Sequence, residues 1–183
     1  MTGEYEGNVM TEIEVKIKIG DAKTAREKLV GLGAVVARER HLEKNVLYDL
    51  PSGALRKGRR ALRLRTTGKR AALTFKGEPQ KSRSFKVREE FETQVRDPRQ
   101  MRRILGALGL REAFAYEKHR TVFRRARLTV TLDETTAGNF LELEGERHEI
   151  VRFAKALGYG RADFITASYV DILGGTGGTA GPD

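Results

Sequence analysis

Residues 11–19 read TEIEVKIKI. Alternate positions of a β-strand face opposite sides, so Glu12, Glu14 and Lys16 share one face while Ile13, Val15 and Ile17 share the other. The polar face is wholly charged, with two carboxylates side by side. Like charges two positions apart on a strand disfavour folding unless something cationic sits between them. A divalent metal supplies that cation. Paired carboxylates with few other ligands suit Mg²⁺ or Mn²⁺, hard ions that keep waters and bind phosphate oxygens.

The same alternation predicts strands over 35–49, 60–67, 70–77, 84–95, 112–124, 126–134 and 138–146. Arg63 and Arg65 oppose Leu62 and Leu64, and Lys76 follows Phe75. Arg88, Glu90 and Glu92 alternate with Val87, Glu89 and Phe91. Lys118 and Arg120 share a face, Asp133 lies opposite Val130 and Leu132, and Glu142 and Glu144 alternate with Leu141 and Leu143. An ordinary solvated face mixes Thr, Ser, Gln and Lys, whereas this set is almost purely Glu with Arg or Lys. About eight strands closed into a barrel leave an interior wide enough for side chains and one small ligand. Six basic residues on one concave surface repel each other, and a polyphosphate relieves them, Arg by its fork and Lys as a point charge. The fold expected is α+β: a closed eight-stranded antiparallel β-barrel, or tunnel, with a polar interior and helices packed outside.

Helices are predicted over 21–31 from the N-cap Asp21, over 97–108 from Asp97-Pro98, over 146–157, and in a shorter form over 161–172. The chain also reads as duplicated. Glu12-Ile13-Glu14, a helix from Asp21, LVGLGA and Glu43-Lys44 are echoed by Glu90-Phe91-Glu92, a helix from Asp97, ILGALG and Glu117-Lys118. Residues 1–9 are patternless and read as a flexible N-terminus, 174–183 as a disordered Gly-rich tail, and 10–173 as the working domain.

The 183 residues suit one domain, and the net charge is +10. Without cysteine, disulfides, thiolate nucleophiles and Cys-ligated zinc are excluded, and a cytoplasmic setting is the expectation. No apolar run approaches the roughly 18–20 residues that cross a bilayer, so no membrane partner is expected. His41, His119 and His148 lack metal-ligand spacing and read as ordinary histidines. Nucleic acid fits poorly, because its grooves are basic and interleaved with aromatics, not half carboxylate.

Through Glu12-Ile-Glu-Val-Lys16, the sequence resembles the CYTH superfamily, the triphosphate tunnel metalloenzymes. That group includes class IV adenylate cyclases, thiamine triphosphatases and inorganic triphosphatases. YDLPSGALRKGRRALRLR (48–65), LTFKG (73–77), KVREEFET (86–93), EKHR (117–120), TLDE (131–134), FLELEGE (140–146) and SYVDIL (168–173) follow in the family's order. The resemblance implies an eight-stranded antiparallel tunnel. It implies Glu12, Glu14, Glu142 and Glu144 as metal ligands, directly or through water, with Glu90 as a further candidate. Lys16, Arg63, Arg65, Lys76, Arg88, Lys118 and Arg120 are the implied phosphate-binding set. Asp133 resembles the family aspartate that holds metal or orients a basic side chain. Lys16, Arg65 and Glu144 are the candidates for direct catalysis. Many relatives place Lys or Arg before the Ser-Tyr of the C-terminal helix, where this chain has Ala167.

The expected activity is metal-dependent hydrolysis of an inorganic or nucleoside triphosphate, with Mg²⁺ or Mn²⁺ as cofactor and water attacking the terminal phosphorus. Ala61, two positions before Arg63, offers no aromatic platform for the organic cation of thiamine triphosphate. Two alternatives stay open: a class IV adenylate cyclase making cyclic AMP and pyrophosphate from ATP, and a non-enzymatic polyphosphate- or nucleotide-binding module. Homodimerisation through an outer barrel face also stays open.

Overall fold

The computed structural model describes residues 10–82 and 84–174. Its eight long strands are β1 (Met10–Ile19), β2 (Val35–Asp49), β3 (Ala61–Thr67), β4 (Arg70–Lys76), β5 (Lys86–Val95), β6 (Arg111–Arg125), β7 (Leu128–Thr135) and β8 (Gly138–Glu144). All pair antiparallel in the order β5-β4-β3-β2-β6-β7-β8-β1, and β1 pairs back onto β5 from Met10↔Glu90 to Glu14↔Lys86. The barrel is therefore closed, as the alternation predicted. Exchanging β1–β4 with β5–β8 leaves every strand pairing unchanged, so the topology carries the two-fold repeat read in the sequence.

The helices are α1 (Ala22–Gly31), α2 (Ala54–Lys57), α3 (Pro98–Ala107), α4 (Arg147–Ala156) and α5 (Tyr169–Gly174). Asp21 caps α1 by accepting from Thr24 N at 2.7 Å, and Asp97 caps α3 through Arg99 N and Gln100 N at 2.9 and 3.1 Å. Both helices stop at a left-handed glycine, Gly33 or Gly109, after which Ala34 N and Leu110 N bond back to Leu29 O and Leu105 O at 3.0 Å. LVGLGA and ILGALG are thus the same C-terminal stop used twice.

The usual inside and outside are exchanged. Val15, Ile17, Val130, Leu141 and Leu143 point out of the barrel and are sealed by Leu29 of α1 and Ile150 and Phe153 of α4. Tyr48, Leu64, Ala71 and Val95 are sealed by Leu105 of α3. The charged partner face of every strand is left to line the interior.

One prediction is corrected. Residues 161–172 form no single helix: a 3-10 turn at Arg161–Asp163 leads into β9 (Phe164–Ile165), and α5 starts only at Tyr169. β9 pairs with β1 at Lys16↔Ile165 and Ile17↔Phe164, on the edge that β5 leaves beyond Glu14. The short α2 was also unforeseen. Gly174 closes α5, while 1–9 and 175–183 lie outside the described residues.

Candidate functional site

The barrel encloses a cavity of about 1480 Å³. Every residue of the predicted phosphate-binding set lines it: Lys16 from β1, Arg63 and Arg65 from β3, Lys76 from β4, Arg88 from β5, and Lys118 and Arg120 from β6. Glu12, Glu14, Glu90, Glu142 and Glu144 line it as well.

The predicted metal carboxylates divide into two groups. Glu14 lies opposite Glu144 in the β1–β8 pair, with Glu12 two residues earlier and Glu90 on the adjoining β5. Lys76 occupies the space between Glu12 and Glu90, donating to both Glu12 oxygens at 2.9 Å and contacting Glu90. Burial, then the neighbouring Glu14 and Glu90, push Glu12 up to about 7, against the pull of Lys76. Burial with Glu14 and Glu90 also raises Glu144, which stands at the rim. Burial opposes the ionisation of Glu14, but Lys16 alongside at 3.2 Å holds it well below the usual carboxylate range.

Asp133 and Glu142 do different work. Asp133, fully buried, accepts from Arg120 Nε and Nη2 at 2.6 Å each, Lys118 Nζ at 2.9 Å and the Tyr169 hydroxyl at 2.7 Å. It orients basic side chains, one of the two roles the resemblance offered. Glu142 bridges Lys16, at 3.1 Å, and Arg120. Glu12, Glu14, Glu90 and Glu144 gather at neighbouring positions of β1, β5 and β8, and Glu142, which shares Lys16 with Glu14, stays a further candidate.

That set fits a hard divalent cation in chemistry: it is all oxygen, and burial together with neighbouring carboxylates raises two members, Glu12 and Glu144. Among the described residues, no three such ligands converge in this side-chain arrangement. The ammonium of Lys76 supplies the charge there.

Several interior residues escaped the sequence reading. Lys86, one alternation before Arg88, lies 3.6 Å from Glu14, and burial beside Lys16 pushes it down to about 8. Extending the period by two residues would have found it. Glu43 and Asn45 face inward from β2 and are almost fully buried, and both amide atoms of Asn45 lack a hydrogen-bond partner. Charges stand on both faces of 38–44, so period two carried no signal there. Glu92, read on the charged face with Arg88 and Glu90 but given no role, accepts from Thr74 at 2.7 Å and Arg65 at 3.1 Å. Phe114 and Tyr116 also line the wall, so the aromatic surface not found at Ala61 is supplied by β6. At the mouth beside Ala167, Arg56, Arg59 and Arg60 line the cavity.

Twelve basic side chains line the cavity against eight carboxylates, with Glu43 and Asp133 buried among them, so part of the +10 surplus faces the tunnel.

The family model of the CYTH domain matches residues 10–169. The chain belongs to the CYTH domain family. This CYTH domain is 28% identical over 176 residues to a provisionally named adenylate cyclase of Methanocaldococcus jannaschii, covering 90% of this chain and 99% of that one. A provisionally named adenylate cyclase from Vibrio parahaemolyticus shares the fold at a TM-score of 0.81 and 21% identity, over 91% of this chain and 99% of that one. A Hippeastrum protein, provisionally an adenylyl cyclase and described as having a dominant triphosphatase activity, superposes at a TM-score of 0.67 and 20% identity. That match covers 90% of this chain and 96% of the other. No helix among the described residues is long and apolar enough to cross a membrane.

Proposed function

We propose that this CYTH domain hydrolyses the terminal phosphoanhydride of an inorganic or nucleoside triphosphate. One observation carries the reading: a closed tunnel sets an ordered basic ring against a cluster of carboxylates in which burial and like charge hold Glu12 and Glu144 above the usual carboxylate range. Glu12, Glu14, Glu90 and Glu144 are the residues that would hold Mg²⁺ or Mn²⁺. When bound, that cation neutralises phosphate oxygens and favours ionisation of water.

The chain's own groups do the rest. Lys118 and Arg120, fixed by Asp133, present cations that need no reorganisation as charge develops on the transferred phosphoryl group. Arg63, Arg65 and Arg88 grip the chain of phosphates from the facing wall. Lys76, which lines the same cavity, would add a further cation for the phosphates if a bound metal took its place between Glu12 and Glu90. Water adds to the terminal phosphorus, the bridging P–O bond breaks, and orthophosphate leaves with the shortened phosphate. The triphosphatase activity described for the Hippeastrum relative supports this reading.

A second reading, ATP cyclisation with pyrophosphate release, draws on the names of the M. jannaschii and V. parahaemolyticus relatives. The cavity also exceeds the roughly 300–1,000 Å³ of typical small-molecule pockets, leaving room for a nucleoside.

The test offers purified protein, with Mg²⁺ or Mn²⁺, inorganic triphosphate and ATP in turn. Orthophosphate release supports hydrolysis, cyclic AMP with pyrophosphate supports the cyclase, and binding without turnover leaves a binding module. Glu12→Gln and Glu144→Gln should each lose metal-dependent turnover while staying folded, and unchanged turnover would sink the metal assignment. Arg65→Ala should chiefly raise KM.

A further inference from the structure

Glu43 projects from β2 into the group of cations that also surrounds Asp133, and only 3% of it is exposed. Its carboxylate lies 3.6 Å from Arg65 Nη1, 3.8 Å from Lys118 Nζ, 3.9 Å from Arg120 Nε and 3.6 Å from His41 Nε2. None of these is a good hydrogen bond, and Oε2 has no hydrogen-bond partner at all. Asp133 is the contrast, taking four donors at 2.6–2.9 Å. Two carboxylates therefore share one cluster and act differently. Asp133 consumes N–H groups and fixes side chains, whereas Glu43 adds negative charge to the same cations without taking a hydrogen bond through Oε2.

We propose that Glu43 is an affinity-setting residue of the tunnel, a fixed counter-charge that opposes a bound polyphosphate in proportion to the ligand's own charge. The inference rests on the triphosphate reading above. Coulomb repulsion from a buried carboxylate grows with each charge the ligand brings, and salt screens it weakly. Glu43 then keeps the basic cluster from holding triphosphate too tightly. A role limited to supporting Arg65 and Arg120 makes the opposite demand, because its removal would weaken binding of every anion.

Calorimetric titrations of wild type, Glu43→Gln and Glu43→Asp with inorganic triphosphate, diphosphate and orthophosphate, each with and without Mg²⁺, decide between these. Glu43→Gln should bind triphosphate on the order of tenfold more tightly. The gain should shrink from triphosphate to diphosphate to orthophosphate, and Glu43→Asp should stay near wild type. Weaker binding by Glu43→Gln, or a gain equal for all three anions, overturns the proposal. Should Glu43→Gln prove too unstable to titrate, melting with added triphosphate reads the same quantity, since a tighter ligand raises Tm more. A triphosphate-induced rise no larger than the wild type's again overturns it. A wild type that binds none of the three anions removes the triphosphate reading and this inference together. Wild-type binding with no gain in Glu43→Gln removes the inference alone.

Discussion

Glu43 and Asp133 touch the same lysine and arginine, yet their surroundings give them different chemistry. Burial works against the ionisation of Glu43, but Arg120, Lys118, Arg65 and Arg63 outweigh it and hold its pKa down to about 2. A carboxylate whose folded pKa lies below its unfolded value stabilises the fold at pH values above the unfolded pKa. That contribution is lost as pH falls from about 4.5 towards 2. The shift corresponds to roughly 3 kcal/mol at neutral pH. Melting curves from pH 7 down to pH 2 should therefore show wild type losing more stability across this window than Glu43→Gln. Parallel curves would mean that Glu43 is not held ionised by the cluster. The legible part of the site was at this scale too. ExExK and the Arg63–Arg65 pair were found because each alternates with leucine, valine or isoleucine. Glu43 and Asn45 were not, because their strand carries charge on both faces.

At the scale of elements, the mouth of the tunnel is set by one buried side chain at the end of β2. Asp49 accepts from the backbone N–H groups of Leu50, Leu55 and Arg56 at 2.7, 2.9 and 3.0 Å. It thereby caps α2 and fixes the segment that carries Arg56, Arg59 and Arg60. Asp49→Ala should cost about 1–2 kcal/mol, by analogy with the loss of other helix caps. Limited proteolysis should become faster between β2 and β3, and a cleavage pattern identical to wild type would contradict the capping role. The C-terminal segment follows the same logic in reverse. A helical reading of 161–172 failed because β1 has an open edge beyond Glu14, and Phe164–Ile165 satisfies it as β9. Local sequence contains no sign of that vacant edge.

The whole molecule is a barrel whose polar face is inside and whose apolar core lies between sheet and helices. Stability and ligand binding consequently reside in different layers. Phe153 on α4 is 1% exposed and packs in the outer layer, away from every charged group of the tunnel. Phe153→Ala should destabilise the fold by about 3–5 kcal/mol in chemical denaturation, while the folded fraction keeps its affinity for triphosphate. An affinity that falls with stability would show the layers to be coupled.

Strand alternation, helix caps and glycine stops are local, so the sequence by itself determined the eight strands, three of the helices, the duplicated plan and the charged interior. Periodicity tells which side chains share a face. It does not tell which of them meet across the barrel, because that depends on strand order and register. Only the tertiary structure decided that Lys76 stands between Glu12 and Glu90, that Asp133 binds Lys118, Arg120 and Tyr169, and that Glu43 lies among cations without bonding to them. The pair of carboxylates in TEIEVKIKI required a cation, and in the folded chain Lys16 and Lys76 supply that charge.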